Sequence, residues 1–98
     1  MNNEKNFGYD LLFKAILTLK TPEECADFFE DVCTEQETKS IAQRIVVAKM
    51  LRDKRVYSEI VKETGASTAT ISRVNRSLIY GCNGYDEIFK RLAEKGDK

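Results

Sequence analysis

The sequence contains no histidine, no tryptophan and only one proline among its 98 residues. Histidine is the commonest general base near neutral pH and a common metal ligand, so its absence excludes Ser-His and Cys-His nucleophile pairs and most zinc sites. One proline and five glycines leave little turn chemistry for a β-sheet, which favours an all-α fold. No apolar run approaches the roughly 20 residues that a membrane-spanning helix needs.

Signals for secretion, for disulfides and for metal binding are also scarce. The N-terminal segment MNNEKNFGYD lacks the basic stretch followed by an apolar stretch that marks a secreted protein. The three cysteines, Cys25, Cys33 and Cys82, are odd in number and form no C-x-x-C motif. We therefore expect a cytoplasmic protein without a metal, whose cysteines serve as small buried apolar residues.

The formal net charge is zero, but the charges are unevenly distributed along the chain. Residues 1–37 carry three lysines and nine acidic residues, whereas residues 38–80 carry nine basic and three acidic residues. A basic middle segment is typical of a surface that binds a polyanion. The same pattern would result if the two segments paired with each other across the fold or across a dimer, so charge alone leaves both interpretations open.

Apolar periodicity and capping residues predict a single domain of six helices over residues 1–98. Thr21 and Pro22 suit the N-cap and the first helical position, and Thr34 with Glu37 forms a capping box. The predicted helices cover about residues 5–19, 22–32, 35–52, 57–64, 68–79 and 85–94.

The first predicted helix carries apolar side chains on two faces. One face contains Leu11, Leu12, Ala15, Ile16 and Leu19, and the other contains Phe13 and Leu17. A helix that is apolar on more than one side is buried on more than one side, which in so short a chain points to a partner subunit.

The same periodicity predicts which side chains of the later helices face the core. In helix order they are Ile41, Ile45, Ala48 and Leu51, then Ile60 and Val61, then Ile71, Val74 and Leu78, and finally Tyr85, Ile88, Phe89 and Leu92.

Residues 57–79 have the layout of a helix-turn-helix, in which a short turn containing glycine joins two helices. Gly65 permits the sharp bend, and Ile60 is placed to face Ile71 and Val74 across it. The outer face of the second helix carries short hydroxyl side chains and arginines, with no acidic residue between Gly65 and Gly84. An ordinary solvated helix usually mixes glutamate with lysine, so we interpret this helix as a recognition helix for double-stranded DNA.

Two kinds of side chain would make the DNA contacts. Serine and threonine can donate to or accept from base edges, and Ala69 or a threonine methyl can contact a thymine methyl group. Lysine and arginine suit the phosphates. The predicted DNA-binding residues are Lys62, Ser67, Thr68, Ala69, Thr70, Ser72, Arg73 and Arg76.

These segments resemble the tryptophan repressor family, most closely its YerC-like branch. The resemblance covers about residues 8–95 and rests on Thr34-Glu35-Gln36-Glu37, Arg44, Met50-Leu51-Arg52 and, most specifically, the run GASTATISR over residues 65–73. It implies six helices and an intertwined homodimer. It also implies a palindromic DNA operator, with one recognition helix bound to each half-site.

The resemblance further implies a pocket for a small-molecule corepressor. In the tryptophan repressor, the amino acid lies between an arginine of the long central helix and an arginine of the recognition helix, and a serine nearby completes the pocket. Arg73 and Ser77 match the recognition-helix positions. Arg44 matches the first arginine if the alignment is anchored at Thr34, whereas an anchor at residues 50–52 places Gln43 there.

Val74 departs from the family pattern, because the family has glycine at that position. Its branched side chain would fill space that an indole ring needs, and such overpacking costs about 1–3 kcal/mol. The sequence therefore argues against tryptophan as the effector. The alternatives are another small anion between Arg44 and Arg73, or a role for both arginines in phosphate binding or structure.

The sequence thus predicts a DNA-binding transcriptional regulator, with repression as its expected activity. One alternative is a helical dimer that binds a protein partner and not DNA. An enzyme is disfavoured because the chain has no histidine and no paired carboxylates at a recognisable site spacing. Glu23 and Glu24 are explained by the favourable interaction of acidic residues with a helix N-terminus.

Overall fold

The computed structural model describes residues 7–96, which form six α-helices and no β-strand. The helices are α1 Tyr9–Ile16, α2 Pro22–Val32, α3 Glu35–Arg52, α4 Tyr57–Thr64, α5 Thr68–Tyr80 and α6 Gly84–Glu94. The prediction of an all-α fold is confirmed. None of the helices in this range is long and apolar enough to cross a membrane. The chain divides into an N-terminal unit that ends at Glu35 and a C-terminal unit that begins at Gln36.

The first helix is shorter than the sequence predicts. It begins at Tyr9 because Gly8 has a φ of 99°, which a right-handed helix cannot include. It ends at Ile16, since the next turn tightens: the N–H and the hydroxyl of Thr18 both donate to the Ala15 carbonyl oxygen, at 3.0 and 2.6 Å. Residues 5 and 6 of the predicted helix lie outside the described residues. The other predicted helices agree with the structure to within one residue at either end.

The N-terminal unit consists of α1 and α2, neither of which contains a buried residue. Leu17 is 83% exposed, and Leu11, which the sequence places on an inward face, is also exposed. The rings of Tyr9 and Phe13 stack with their centroids 6.0 Å apart. On α2, Val32 is exposed as well. The apolar faces of this unit are therefore largely uncovered in the single chain.

The C-terminal unit contains the hydrophobic core. Its buried side chains come from α3, α4, the turn after α4, and α5, and they are Val47, Ala48, Met50, Ile60, Ala66, Ile71, Val74 and Leu78. Leu51 of α3 and Tyr85 and Phe89 of α6 pack against them. Full burial of one valine, leucine, isoleucine or methionine side chain stabilises a fold by about 1.5–3 kcal/mol. The core thus holds α4 and α5 against α3, as the apolar spacing of α5 predicts.

Several side chains predicted to face the core are exposed instead. Val61 points away because it lies about 100° around α4 from Ile60, and α4 packs through one face only. Ile41 and Ile45 of α3, and Ile88 and Leu92 of α6, are also exposed. Ile45 and Leu92 line an open groove of about 430 Å³ between α3 and α6. Val47, which the apolar spacing did not predict to be inward, is fully buried.

The cysteines differ in part from the prediction. All three thiols are free; Cys25 and Cys33 are half-buried, whereas Cys82 is exposed in the turn between α5 and α6. Cys82 therefore does not serve as a core residue.

Two side chains of α3 tie the later helices together. Arg52 donates to both carboxylate oxygens of Asp86 at 2.8 and 2.7 Å and to the Leu78 carbonyl oxygen at 3.2 Å. It thereby joins the end of α3 to the last turn of α5 and the first turn of α6. Gln43 donates through Nε2 to the Thr64 carbonyl oxygen at 3.1 Å, which ties α3 to the last residue of α4. These bonds position the helix-turn-helix on α3.

Candidate nucleic-acid interface

The turn between α4 and α5 is held by its own backbone and by one threonine. Gly65 has a φ of 74°, and its N–H donates to the Val61 carbonyl oxygen at 2.9 Å. The Thr64 hydroxyl donates to the Ile60 carbonyl oxygen at 2.7 Å and accepts from the Ala66 N–H at 3.0 Å. Since Ala66 is itself buried in the core, the turn is anchored from within. The angle between α4 and α5 is thus determined locally.

The outer face of α5 is separate from its buried face. Ile71, Val74 and Leu78 are buried at spacings of three and four residues, as predicted. The opposite face contains Ala69, Ser72, Arg73 and Arg76, which follow the same helical spacing and are all exposed. Thr68 is exposed at the start of the helix, and Lys62 is exposed on α4.

The cations of this surface are available for a ligand. Within residues 7–96, the side chains of Lys62, Arg73 and Arg76 take part in no hydrogen bond or ion pair. By contrast, Arg52 and Arg91 are paired with Asp86 and Glu87. An unpaired arginine on an exposed helix face loses no protein contact when it binds a phosphate.

Both acidic residues of the helix-turn-helix are paired with Arg55. Glu59 and Glu63 are the acidic residues between Val56 and Gly84, and Arg55 forms an ion pair with each of them. Hydrogen bonds from the Arg55 side chain and from the Val56 N–H hold the pKa of Glu59 below its ordinary value. Within residues 7–96, neither of these carboxylates is paired with Arg73 or Arg76 of α5. The pairing with Arg55 was not predicted, although Arg55 and Glu59 are four residues apart, the spacing of an ion pair on a helix.

The hydroxyl groups at the start of α5 have different environments. Ser67 caps the helix, because its Oγ accepts from the Thr70 N–H at 3.1 Å. Ser67 Oγ also lies within hydrogen-bond distance of Thr70 Oγ1, at 3.1 Å, and Thr70 is half-buried. The exposed hydroxyls of Thr68 and Ser72 form no side-chain hydrogen bond within the part of the chain that the structure describes. Apart from Lys62 on α4, the predicted contact residues therefore lie at the start of α5 or on its outer face. The hydroxyls of Ser67 and Thr70 lie within hydrogen-bond distance of each other.

The residues matched to a corepressor pocket are accessible. Arg44, Arg73 and Ser77 are exposed, and none of them lines the groove between α3 and α6. Gln43, the alternative to Arg44, is committed to the Thr64 carbonyl oxygen. Val74 is 3% exposed and belongs to the core, so its side chain fills space beneath the outer face of α5. Within the described residues, no group of three or more acidic, cysteine or histidine side chains could hold a metal ion.

The chain is similar to known proteins along most of its length. The family model described as Trp repressor protein matches residues 8–93. Uncharacterized protein YerC of Bacillus subtilis (strain 168) is 54% identical over 85 residues, which is 87% of this chain and 82% of that protein. The crystal structure of a TrpR-like protein from Eubacterium eligens ATCC 27750 is 60% identical with a TM-score of 0.87, covering 91% of this chain and 92% of that one.

A crystal structure of a Trp repressor candidate from Staphylococcus aureus is similar over 95% of both chains, at 50% identity and a TM-score of 0.87. The resemblance that the sequence carries over residues 8–95 is confirmed by the extent of these matches. The chain belongs to the Trp repressor family, whose members are regulators rather than enzymes.

Proposed function

We propose that this protein is a sequence-specific DNA-binding transcriptional repressor that acts as a homodimer on a palindromic operator. The observation that carries the proposal is the outer face of α5, where exposed arginines that have no ion-pair partner among residues 7–96 lie beside small and hydroxyl side chains. Phosphates bind arginine, while small residues let a helix enter the major groove. This surface has the chemistry of both contacts.

The contacts divide into two groups. Lys62, Arg73 and Arg76 bind phosphates and supply most of the affinity, which falls as the salt concentration rises. Thr68, Ala69 and Ser72 contact base edges, together with Thr70, and determine the preferred sequence. Ser67 caps α5 and acts at the same end of the helix.

The homodimer is supported by the apolar faces that the single chain leaves uncovered. They include Leu11 and Leu17 in the N-terminal unit and Ile45 and Leu92 in the C-terminal unit. Exposed apolar surface of this kind marks an interaction site. A symmetric dimer would place its two recognition helices about 34 Å apart, which is one helical turn of DNA.

The corepressor site is a second part of the proposal. Arg44 and Arg73 bind the anionic group of a small molecule, with Ser77 as a neighbouring hydrogen-bonding group. Tryptophan is not proposed, because the buried Val74 occupies the position at which the family has glycine. A panel of small carboxylates and phosphates, tested for an increase in DNA affinity of the wild-type chain and of Arg44→Gln, would identify the effector.

The decisive experiment is selection of bound fragments from sheared genomic DNA at physiological salt. We expect an enriched palindrome with half-sites about one helical turn apart. If no sequence is enriched with or without a metabolite extract, and duplex binding is also absent at low salt, the proposal is wrong. A protein that then co-purified with this chain would favour the adaptor function.

Arg76→Gln gives a sharper measure of the phosphate contacts. If Arg76 neutralises one phosphate per subunit, the slope of log affinity against log salt should become shallower by about 0.9 per subunit. Arg91→Gln is the matched control, since Arg91 lies on α6 and is paired with Glu87 at 3.2 Å. Equal changes of slope in the two variants would contradict the assignment of α5 as the DNA-binding helix.

A further inference from the structure

We propose that Tyr80 extends the DNA-binding surface to the last turn of α5, where its phenol hydroxyl donates a hydrogen bond to one backbone phosphate in each half-site. Tyr80 is not among the residues that the sequence predicts to bind DNA. The inference rests on the proposed DNA-binding function and adds to it a phosphate contact made by an uncharged side chain.

Tyr80 is highly exposed for an aromatic residue. It is 81% exposed, and its hydroxyl forms no hydrogen bond with any of residues 7–96. Tyrosine is usually at least partly buried, because its ring is apolar. Tyr85 is an example in this chain, since it is half-buried and its ring stacks on that of Phe89 with the centroids 6.3 Å apart. The Tyr80 phenol is therefore available for a ligand.

Tyr80 belongs to the outer face of α5. Because an α-helix turns by about 100° per residue, Tyr80 lies about 20° around the axis from Ala69 and about 40° from Arg76. Ile71, which is fully buried, lies about 180° away from it. The face that carries the proposed DNA contacts thus continues for one further turn beyond Arg76 and ends with Tyr80.

The backbone at the end of α5 is held in place, so the direction of the Tyr80 side chain is defined by the fold. The Gly81 N–H donates to the Ser77 carbonyl oxygen at 2.9 Å and closes the last turn. Leu78 is buried in the core, and its carbonyl oxygen accepts from Arg52 at 3.2 Å. These bonds keep the last turn helical, which reduces the entropy that Tyr80 loses when it binds a ligand.

The length of α5 places Tyr80 beside the DNA backbone and not beside the bases. A helix-turn-helix puts the N-terminal residues of its recognition helix against the base edges. Tyr80 is 11 residues beyond Ala69, a distance of about 16 Å along the helix axis. The major groove is only about 12 Å wide. With Ala69 at the bases, Tyr80 therefore reaches the sugar-phosphate backbone at the edge of the groove, where tyrosine hydroxyls commonly donate to phosphate oxygens.

The charges near Tyr80 favour an anionic ligand. Residues 66–83 contain no acidic side chain, and Arg76 precedes Tyr80 by about one helical turn. The nearest acidic residues along the chain, Asp86 and Glu87, are each paired with an arginine. A hydrogen bond from a neutral donor to a charged acceptor is stronger than one between neutral groups, so a phosphate is a good partner for the phenol.

Tyr80→Phe, measured in the full-length chain on the selected operator, tests the contact because it removes the hydroxyl and keeps the ring. The dimer loses one hydrogen bond in each subunit, so its affinity should fall by at least about tenfold. The slope of log affinity against log salt should not change, since an uncharged group releases no counterion, whereas Arg76→Gln makes that slope shallower. Tyr85→Phe is the matched control and should alter the affinity by less than about twofold.

Operators with a neutral methylphosphonate at one backbone position at a time would locate the phosphate. We expect one position per half-site at which this linkage weakens binding of the wild type much more than binding of Tyr80→Phe, because two changes that remove the same contact are not additive. Positions contacted by other residues should weaken both chains equally. Base preference should be the same in both chains at every position, since a phosphate contact carries no sequence information.

Each other outcome overturns a defined statement. If Tyr80→Phe binds the operator as tightly as the wild type, the phenol contacts no phosphate and the inference fails while the proposed function stands. If Tyr80→Phe changes the preferred base at a position, Tyr80 reads a base and the phosphate contact is wrong. If sedimentation equilibrium shows weaker dimerisation of Tyr80→Phe, the hydroxyl belongs to a contact between subunits and the inference also fails. A wild-type chain that binds no duplex DNA at low salt overturns the proposed function, and the inference with it.

Discussion

Lys54 and Asn83 have φ values of 66° and 63°, and they are the non-glycine residues within residues 7–96 that adopt a left-handed backbone. Lys54 lies in the turn after α3, and Asn83 is the residue before α6. The left-handed conformation brings Cβ close to the carbonyl oxygen and costs about 1–2 kcal/mol for most residues, but asparagine tolerates it. The left-handed backbone conformation is therefore strained at Lys54 and tolerated at Asn83.

Lys54→Gly should raise the free energy of unfolding by about 0.5–1 kcal/mol, because relief of the strain exceeds the extra chain entropy of glycine. Asn83→Gly should change it by less than about 0.5 kcal/mol. Urea denaturation of both variants and of the wild type would measure these two changes in the free energy of unfolding. Equal effects at the two positions would mean that backbone strain does not distinguish lysine from asparagine here.

At the scale of the helices, the end of α5 depends on the absence of a side chain at position 81. A Cβ on Gly81 would lie 2.4 Å from the Ser77 carbonyl oxygen, a backbone atom that already accepts the Gly81 N–H at 2.9 Å. Neither atom can move without opening the last turn of the helix. The turn between α5 and α6 therefore requires glycine at this position.

Gly81→Ala should lower the free energy of unfolding by about 1–3 kcal/mol, the usual cost of forcing an extra methyl into a closed space. Gly84→Ala serves as the control, since its Cβ would meet no atom within 4 Å. Its effect should stay within about 0.5 kcal/mol. Thermal and urea denaturation would measure the stability of both variants. If Gly81→Ala and Gly84→Ala lost similar stability, the contact with Ser77 would not be the cause.

The junction of α3, α5 and α6 should make stability dependent on pH. The hydrogen bonds from Arg52, together with its charge, hold the pKa of Asp86 below its ordinary value. A carboxylate whose pKa is lower in the folded state stabilises the fold above the pKa of the unfolded chain, about 4, and this contribution is lost as the pH falls through the folded-state pKa.

Asp86→Asn should therefore lower the urea midpoint at pH 7. The difference in urea midpoint between this variant and the wild type should become smaller as the pH falls below about 4. Parallel urea curves between pH 7 and pH 2.5 would test this, with Arg52→Lys as a second variant that keeps the charge but not the two-pronged contact. If the difference in urea midpoint between Asp86→Asn and the wild type stayed constant over the whole pH range, Asp86 would not be the source of the pH dependence.

At the scale of the whole molecule, the exposed apolar faces determine the assembly we propose. If Leu17, 83% exposed in the single chain, is buried between two copies, Leu17→Glu places a charge in an apolar interface. We expect the dimer dissociation constant to rise by at least about tenfold. Thr18→Glu adds the same charge beside it on an exposed polar position and is the control.

Sedimentation equilibrium over a range of protein concentrations would give both dissociation constants. DNA affinity should fall together with dimerisation, because two unlinked monomers must then bind the two half-sites independently. A monomeric wild type, or an unchanged dimer in Leu17→Glu, would contradict the proposed interface.

Local signals in the sequence predict most helix boundaries and the recognition-helix stripe. Thr21, Ser67 and Gly65 act on backbone groups within three or four residues, so their effect does not depend on the rest of the fold. The buried spacing of Ile71, Val74 and Leu78 is equally local, because one helix face packs against neighbours close in the chain. The candidate site on α5 follows from the same stripe, since the remaining residues of that helix must face outward.

Contacts between distant residues required the tertiary structure. The bond from Arg52 to Asp86 spans 34 residues, and no spacing rule relates them. Periodicity placed Ile45 and Val61 inward because it identifies an apolar residue but not the surface that covers it. The hydroxyls of Ser67 and Thr70 are close in sequence, yet only the structure shows that their oxygen atoms lie 3.1 Å apart. Steric limits and hydrogen bonds between residues close in the chain thus follow from the residue order. Burial and contacts between distant residues depend on which elements the fold packs together.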